Sequence, residues 1–314
     1  MGEGFRQAVL QSLAFKKNKI NNRMRLAFVG YKPQEKYTVG VSRDEDTDLV
    51  DFLTGKGLFI DRVIWNDDKV NWSDYNIVII KSPWDYHEKI DAFYTWLDKL
   101  KKLSITVLNP VDIIKWNSNK HYLQAIQDKG LKIIPSAYLP KGSEFTHQYF
   151  EKFSVDKLVV KPCISAGAKN TIIISKDNMA AQKESIDALL AEEDYLVQPF
   201  MEVIKEGEWS FLFFNGKYSH AVLKIPKQDD FRVQQYHGGT VSYPQADPVH
   251  ITQAAAFLEI IPQKTLYARV DGVMMNNSFY LMELELIEPY LFLNGDPALL
   301  ENYYQALMQF IQSD

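Results

Sequence analysis

The sequence is short of the residues that most metal and redox chemistry requires. Among 314 residues there is one cysteine, Cys163, so no disulfide can close within the chain and a reducing compartment, the cytoplasm, is expected. A lone cysteine of this kind is expected to pack as a small hydrophobe. The six histidines show no ligand spacing, which disfavours a zinc or haem protein. No apolar run approaches the ~18 residues of a membrane span, and the N-terminus carries no secretory signal pattern. There is no long Lys/Arg tract and the net charge is -5, so no nucleic-acid partner is expected and a small-molecule one is favoured. A Walker A motif is also missing.

What is present reads as an ordinary globular protein, with 46% hydrophobic and 24% charged residues in a length that suggests two domains or one with a large insertion. In residues 1–23, Phe5, Val9, Leu10, Leu13 and Phe15 line one side of a short helix ahead of Lys16, Lys17 and Lys19, a peripheral extension suited to an oligomer contact. Strands are expected at Arg25 to Gly30, Asp61 to Trp65, Ile77 to Lys81 and Ile105 to Leu108, alternating with helices over Asp46 to Gly55 and Ile90 to Leu100. Residues 24–116 therefore form a parallel α/β domain. Residues 117–202 read as an α+β unit. It opens with a helix capped by Asn117 or Ser118 that carries Lys120 in its first turn, runs to Lys129 and stops at Gly130. Strands at Leu158 to Lys161, Thr171 to Ser175 and Tyr195 to Gln198 and a helix from Met179 to Glu192 follow. Residues 203–314 read as antiparallel, with hairpins about Asn215-Gly216 and Asn276-Asn277-Ser278 and a final helix from Pro297 to Gln312.

The most informative stretch is Met282-Glu283-Leu284-Glu285-Leu286. Strand alternation puts Met282, Leu284 and Leu286 on one face and the two carboxylates on the other. Folding the hairpin brings Asp271 to within about one residue of the level of Glu283, and Arg269 shares its face. Three converging acids suit a hard cation such as Mg²⁺, or are a solvated sheet face. Lys161 ends a buried strand and precedes the small-residue loop Ser165-Ala166-Gly167-Ala168, whose backbone N–H groups suit phosphate oxygens. In the linker Gln198-Pro199-Phe200-Met201, exposed backbone groups and two apolar walls suit an adenine, or form an interdomain strand end. Glu208 suits a ribose or merely leads a hairpin. Lys224, Arg232 and the Gly238-Gly239 pair supply cations and a turn for a transferred phosphoryl group and its acceptor. Trp84-Asp85-Tyr86, following a strand, is a candidate acceptor pocket or a packed loop corner.

In order and spacing, these segments resemble the ATP-grasp superfamily, glutathione synthetase-like branch, over residues 24 to 312. Asn119-Lys120 and Lys161-Pro162 match the family's two phosphate-contacting lysines. The resemblance implies a lid loop at Ser165 to Ala168, an adenine hinge at Gln198 to Met201 and a ribose-side acid at Glu208. It places cations around the γ-phosphate and acyl group at Lys224, Arg232 and Arg269, and Mg²⁺ ligands at Asp271, Glu283 and Glu285. Ser82-Pro83-Trp84-Asp85-Tyr86, Asn109-Pro110, Trp116-Asn117, the loop from Lys161 to Thr171 and Glu283 to Pro289 are also similar to the narrower group that contains the cycloserine-forming ligase. Cys163 departs from the pattern, which favours a small residue such as Ala there, and so does the N-terminal extension.

The resemblance implies an ATP-grasp fold with a parallel pre-ATP-grasp domain, an α+β lid and an antiparallel C-terminal subdomain. The implied activity is an ATP-dependent carboxylate-amine ligase acting through an acyl phosphate on a small amino-acid-like substrate. It would use ATP with two Mg²⁺ ions, or Mn²⁺ in their place, and form a homodimer. The alternatives are an ATP-grasp kinase and a nucleotide-binding regulatory protein without turnover.

Overall fold

The computed structural model describes residues 24–32, 44–167, 169–227, 233 and 238–313. The N-terminal helix expected over residues 5–15, Ala168 and Arg232 lie outside them.

The first sheet is parallel, in the order β2-β1-β3-β4. It is built from β1 (Arg25–Gly30), β2 (Phe59–Ile64), β3 (Ile77–Ser82) and β4 (Thr106–Leu108), with α1 (Glu45–Gly55) and α2 (Ile90–Lys102) between strands. Strands covered on both faces read as continuous apolar runs. Leu26, Phe28, Ile77 and Ile79 pack with Leu49 and Leu53 of α1. Ala27, Val29, Val78 and Ile80 pack with Phe93, Trp96, Leu97 and Leu100 of α2. The strand order reverses between β1 and β3, and in open sheets of this kind ligands bind at the carboxyl ends of the strands flanking such a switch.

Two short helices, α3 (Val111–Asn117) and α4 (Tyr122–Asp128), replace the single helix expected from Asn117 to Lys129. Neither expected capping side chain is free to cap. Asn117 Nδ2 donates to Leu284 O at 2.7 Å and its Oδ1 accepts from Leu286 N at 3.0 Å, while Ser118 Oγ donates to Lys115 O. Lys120 therefore lies in the connection and not in a first helical turn, with its N–H on Cys163 O at 2.8 Å.

An antiparallel sheet follows in the order β5-β8-β6-β7, made of β5 (Ala137–Leu139), β6 (Lys157–Pro162), β7 (Ile172–Ser175) and β8 (Tyr195–Pro199). Helices α5 (Gln148–Phe153) and α6 (Met179–Leu190) complete its core through Phe150, Ile186 and Leu190.

The third sheet is antiparallel in the order β11-β10-β9-β12-β13, from β9 (Glu208–Phe214), β10 (Lys217–Ile225), β11 (Thr240–Ser242), β12 (Tyr267–Met275) and β13 (Ser278–Glu285). Its hairpins turn at Asn215 and Gly216 (φ 48 and 73) and at Asn276 and Asn277 (φ 49 and 58), the positive-φ pairs that tight hairpins demand. Helix α7 (Pro248–Ala255) covers one face through Ala254. Helix α8 (Pro297–Ser313) packs Leu300, Tyr303 and Leu307 between this sheet and the first. Among the described residues no helix is long and apolar enough to cross a membrane.

His220 of β10 anchors the chain beyond β13. Its Nε2 lies 2.9 Å from Leu291 O and its Nδ1 lies 3.0 Å from Ser219 Oγ. Burial pulls its pKa down to about 4, so the fold favours the neutral ring. The stabilisation is complete above the unfolded value of ~6.5 and is lost as pH falls from there towards 4. Urea titrations should show the wild type losing about 2 kcal/mol between pH 7 and pH 5 through this group, a component absent from His220→Gln.

Candidate active site

The carboxylates of β13 owe their placement to a bulge. Asp271 pairs with Glu283 and Arg269 with Glu285, but Gly272 pairs with Leu281, which leaves Met282 without a partner on β12. One extra residue in one strand reverses the facing of everything beyond it. Phe279, Leu281, Leu284 and Leu286 therefore all enter one core. Tyr280 and Met282 turn to the opposite face with Glu283 and Glu285, and pack beside Val273, Met275, Phe200 and Met201. The expectation that Met282 shares a face with Leu284 and Leu286 is thus corrected.

On this face the polar groups form a connected strip. Asp271 Oδ1 accepts from Ser210 Oγ at 2.6 Å and Arg269 Nε at 3.0 Å, and its Oδ2 accepts from Arg269 Nη2 at 2.8 Å and Lys224 Nζ at 3.4 Å. Arg269 also pairs with Glu285 and donates through Nη1 to Tyr290 O at 2.9 Å, while Lys224 pairs with Glu208. From the connection between α3 and α4, Lys120 Nζ reaches Glu283 Oε1 at 3.3 Å and Ser165 O at 3.1 Å. The Lys161 side chain makes no hydrogen bond or ion pair among the described residues, yet it feels Glu283, Lys120 and Glu208.

The electrostatics follow from this wiring. Burial pushes the Asp271 carboxyl up, but Arg269 and Lys224 outweigh it and the group is held below its ordinary range. Burial likewise raises Glu283 less than Lys120 and Lys161 lower it. Glu285 is pushed up to about 8 by burial, with Asp271 and Glu283 adding to it and Arg269 opposing. Burial lowers Lys161. Such opposed shifts within a few residues are typical of functional sites.

The other candidates divide. Gln198 is buried at the end of β8 and donates to Ser136 Oγ, after which Pro199, Phe200 and Met201 lead away, with Phe200 N committed to Lys157 O. Ser165, Ala166 and Gly167 span the turn from β6 towards β7, and the ion pair of Lys169 with Glu88 (3.2 Å) ties that turn to the first domain. Glu208 stands inside the polar strip as the partner of Lys224. Gly238 lies beside Lys227 ahead of β11, and no hydrogen bond among the described residues joins it or Gly239 to the strip.

Asp85 is 1% exposed and accepts from Trp65 Nε1 at 2.8 Å, and Tyr86 packs against Phe93. Both pack into the corner of the first domain, and the Tyr86 side chain lies close enough to Glu288, Glu283 and Glu285 for their charges, after burial, to raise its pKa. Trp84 donates to Glu288 O at 3.1 Å and lies against Tyr31. Sequence reasoning missed Ser210 and Met282. The first was detectable only through the register that sets it opposite Asp271, the second only through the bulge.

Among the described residues no group of three or more His, Cys, Asp or Glu is placed to hold a metal ion. Magnesium needs fewer, since one or two carboxylates usually suffice with phosphate oxygens and water completing its shell. Glu283 and Glu285, 36% and 22% exposed on one face, fit that requirement. Asp271 is 4% exposed and both its oxygens are held by Ser210, Arg269 and Lys224, so it serves first as the anchor of those cations.

Comparison with known proteins agrees with this architecture. Residues 26–109 match the model of the D-cycloserine synthetase DcsG N-terminal domain, and residues 124–267 match that of the prokaryotic glutathione synthetase ATP-grasp domain. The cycloserine biosynthesis protein DcsG of Streptomyces lavendulae is 26% identical over 264 residues, covering 78% of this chain and 86% of that one. The crystal structure of D-cycloserine synthetase DcsG shares the fold with a TM-score of 0.76 at 23% identity, over 91% of this chain and 99% of that one. The D-alanine–D-alanine ligase of Bacillus anthracis, crystallised with ATP, does so with a TM-score of 0.69 at 16% identity, over 92% and 99%. The two family models together span most of the chain and the fold agrees with both, so the chain carries an ATP-grasp fold and is similar to the ATP-grasp ligases.

Proposed function

We propose that the protein joins a small amino-acid-like carboxylate to an amine, using ATP to make an acyl phosphate that the amine opens to give an amide, ADP and phosphate. The observation that carries this reading is the meeting of Lys120 and Lys161 with the partly open pair Glu283 and Glu285 from the facing sheet. Phosphoryl transfer needs positioning and charge neutralisation more than covalent help. Lys161, whose side chain has no hydrogen-bond or ion-pair partner among the described residues, is a ready receiver of phosphate oxygens, and Lys120 joins it while holding Ser165 of the covering turn. The apolar group of Phe200, Met201, Tyr280 and Met282 suits an adenine beside that end, with Glu208 on the ribose side.

Bound at Glu283 and Glu285, with Asp271 behind them, Mg²⁺ or Mn²⁺ would neutralise charge on the phosphates. Arg269 and Lys224 face the acceptor end and balance the carboxylate and the charge that develops there, a part in which Arg232 would share. The turn at Ser165 to Gly167 excludes water that would hydrolyse an acyl phosphate. Residues 24–116, 117–202 and 203–314 act in this scheme as acceptor domain, lid and metal-bearing subdomain. DcsG and the D-alanine–D-alanine ligase, named for cycloserine and a dipeptide of D-alanine, support an amino-acid-like substrate.

The test is a screen of amino acids and amines with ATP, read by phosphate release and product mass. Release that requires a carboxylate, with an amide product, supports the proposal. A stable phosphorylated carboxylate would make the protein a kinase, and ATP binding without turnover across the screen would make it a nucleotide-binding regulator.

A further inference from the structure

Beyond Glu285 the chain crosses the carboxyl end of the first sheet as the segment Pro289 to Leu293, and buried side chains hold it along its length. Lys81 Nζ donates to Pro289 O at 3.0 Å, and Arg269 Nη1 donates to Tyr290 O at 2.9 Å. Glu45 accepts from Leu291 N at 2.8 Å and from Leu293 N at 3.0 Å, and His220 meets Leu291 O. Lys81 is 1% and Glu45 3% exposed. They pair with each other at 3.0 Å, and Lys81 also reaches Asp46 at 3.4 Å, which in turn accepts from Ser82.

Stability does not account for so costly an arrangement. Well-packed apolar residues of similar volume commonly stabilise an interface as well as a buried ion pair, or better. What charged hydrogen bonds add is geometry, because each fixes a backbone atom in distance and direction. Lys81 is the last residue but one of β3, and Glu45 with Asp46 opens α1, so the whole cluster belongs to the first domain. Its backbone partners follow the acid strand of another sheet. Tyr290, whose carbonyl receives the guanidinium of Arg269, lies between the carbonyl fixed by Lys81 and the first amide fixed by Glu45. That same guanidinium binds Asp271 and Glu285.

We infer that Lys81 and Glu45 are positioning residues for phosphoryl transfer: they fix Pro289 to Leu293 and, through the Tyr290 carbonyl, hold Arg269 in register with the acid strand. The effect on turnover rests on the ligase reading, whereas the effect on the segment does not.

The test compares Glu45→Gln, Lys81→Met and the double variant with the wild type. Four quantities are measured: amide exchange of the peptide containing Leu291 and Leu293, Mg·ADP affinity by calorimetry, kcat and KM for ATP, and Tm. The double variant removes both charges, which keeps the test open where Lys81→Met alone strands two carboxylates in the interior. Exchange should quicken about tenfold or more, and kcat should fall about ten- to a hundredfold, as displacements of order 1 Å do, while ADP affinity and KM for ATP stay within about twofold. A merely structural role would lower Tm without that split. Unchanged kcat beside faster exchange, a kcat loss matched by weaker ADP binding, or unfolding of all three variants at room temperature would each overturn the inference. If the wild type turns over no substrate pair, the ligase reading fails by itself, and unchanged exchange in the variants would then still refute the positioning role.

Discussion

Glu283→Gln and Lys161→Ala are each expected to stop ATP turnover while the protein stays folded. Glu283 is the carboxylate of the strip that feels both Lys120 and Lys161, and it is more open than Glu285. An amide there has the same shape but carries no charge, so it holds a cation less tightly and does not offset Lys120 and Lys161. Lys161 makes no ion pair among the described residues, so its removal leaves no carboxylate stranded in the interior, the usual reason such changes unfold a protein. Losing one preorganised electrostatic contact to a developing charge typically costs about a hundredfold or more in kcat. Phosphate release under saturating substrates, beside a thermal melt of each variant, measures both halves of the expectation. Wild-type rates in either purified variant would remove the strip from the mechanism.

Gly272→Ala has its large effect on the fold. A Cβ at this position would lie 2.2 Å from Tyr280 O and 2.6 Å from the ring of Phe279. The first contact is with backbone of the paired strand, so no side-chain rotation relieves it. Overpacking of well-ordered interiors costs ~1–3 kcal/mol, and a clash with backbone belongs at or above the top of that range. Relief would come from undoing the bulge. That would slide β13 against β12 and turn Glu283 and Glu285 away from Lys120 and Lys161, since a one-residue slip reverses every side chain. We therefore expect a lowered Tm together with activity loss greater than the unfolded fraction explains. A melt and an activity as good as wild type would show that the bulge tolerates a side chain.

The same bulge marks the limit of what the sequence reveals. The alternation of Glu283 and Glu285 with Leu284 and Leu286 is visible in one strand, and the hairpin about Asn276-Asn277 places Asp271 opposite Glu283 as expected. Met282 goes the other way because of a register shift, which is a property of two strands and leaves no trace in one. The parallel sheet was readable for a related reason, since strands buried on both faces must be apolar throughout. Asn117 misled because its side chain serves equally as a helix cap and as a plug for a strand edge, and only the presence of β13 decides. Asp85 was ambiguous in the same way. Its partner, Trp65, comes from a different strand connection, and burial beside it makes the carboxylate part of the core. The short strands β5 and β11 offer three residues each, too few for a period to emerge.

Asn117 also has a consequence for how the protein keeps company. The acid strand is the last of its sheet, and a bare outer edge is a template on which another chain can add a strand. On β13 that edge is occupied from Leu281 onward. Asn109 takes Leu286 O, Asn117 takes Leu284 O and Leu286 N, the Tyr122 hydroxyl takes Leu284 N, and Ile134 and Lys132 pair with Leu281 through the backbone. The carboxylates thus stand at the rim of a sheet that cannot be lengthened on that side, and neither a second copy nor a misfolded neighbour can seal the cleft by strand addition there.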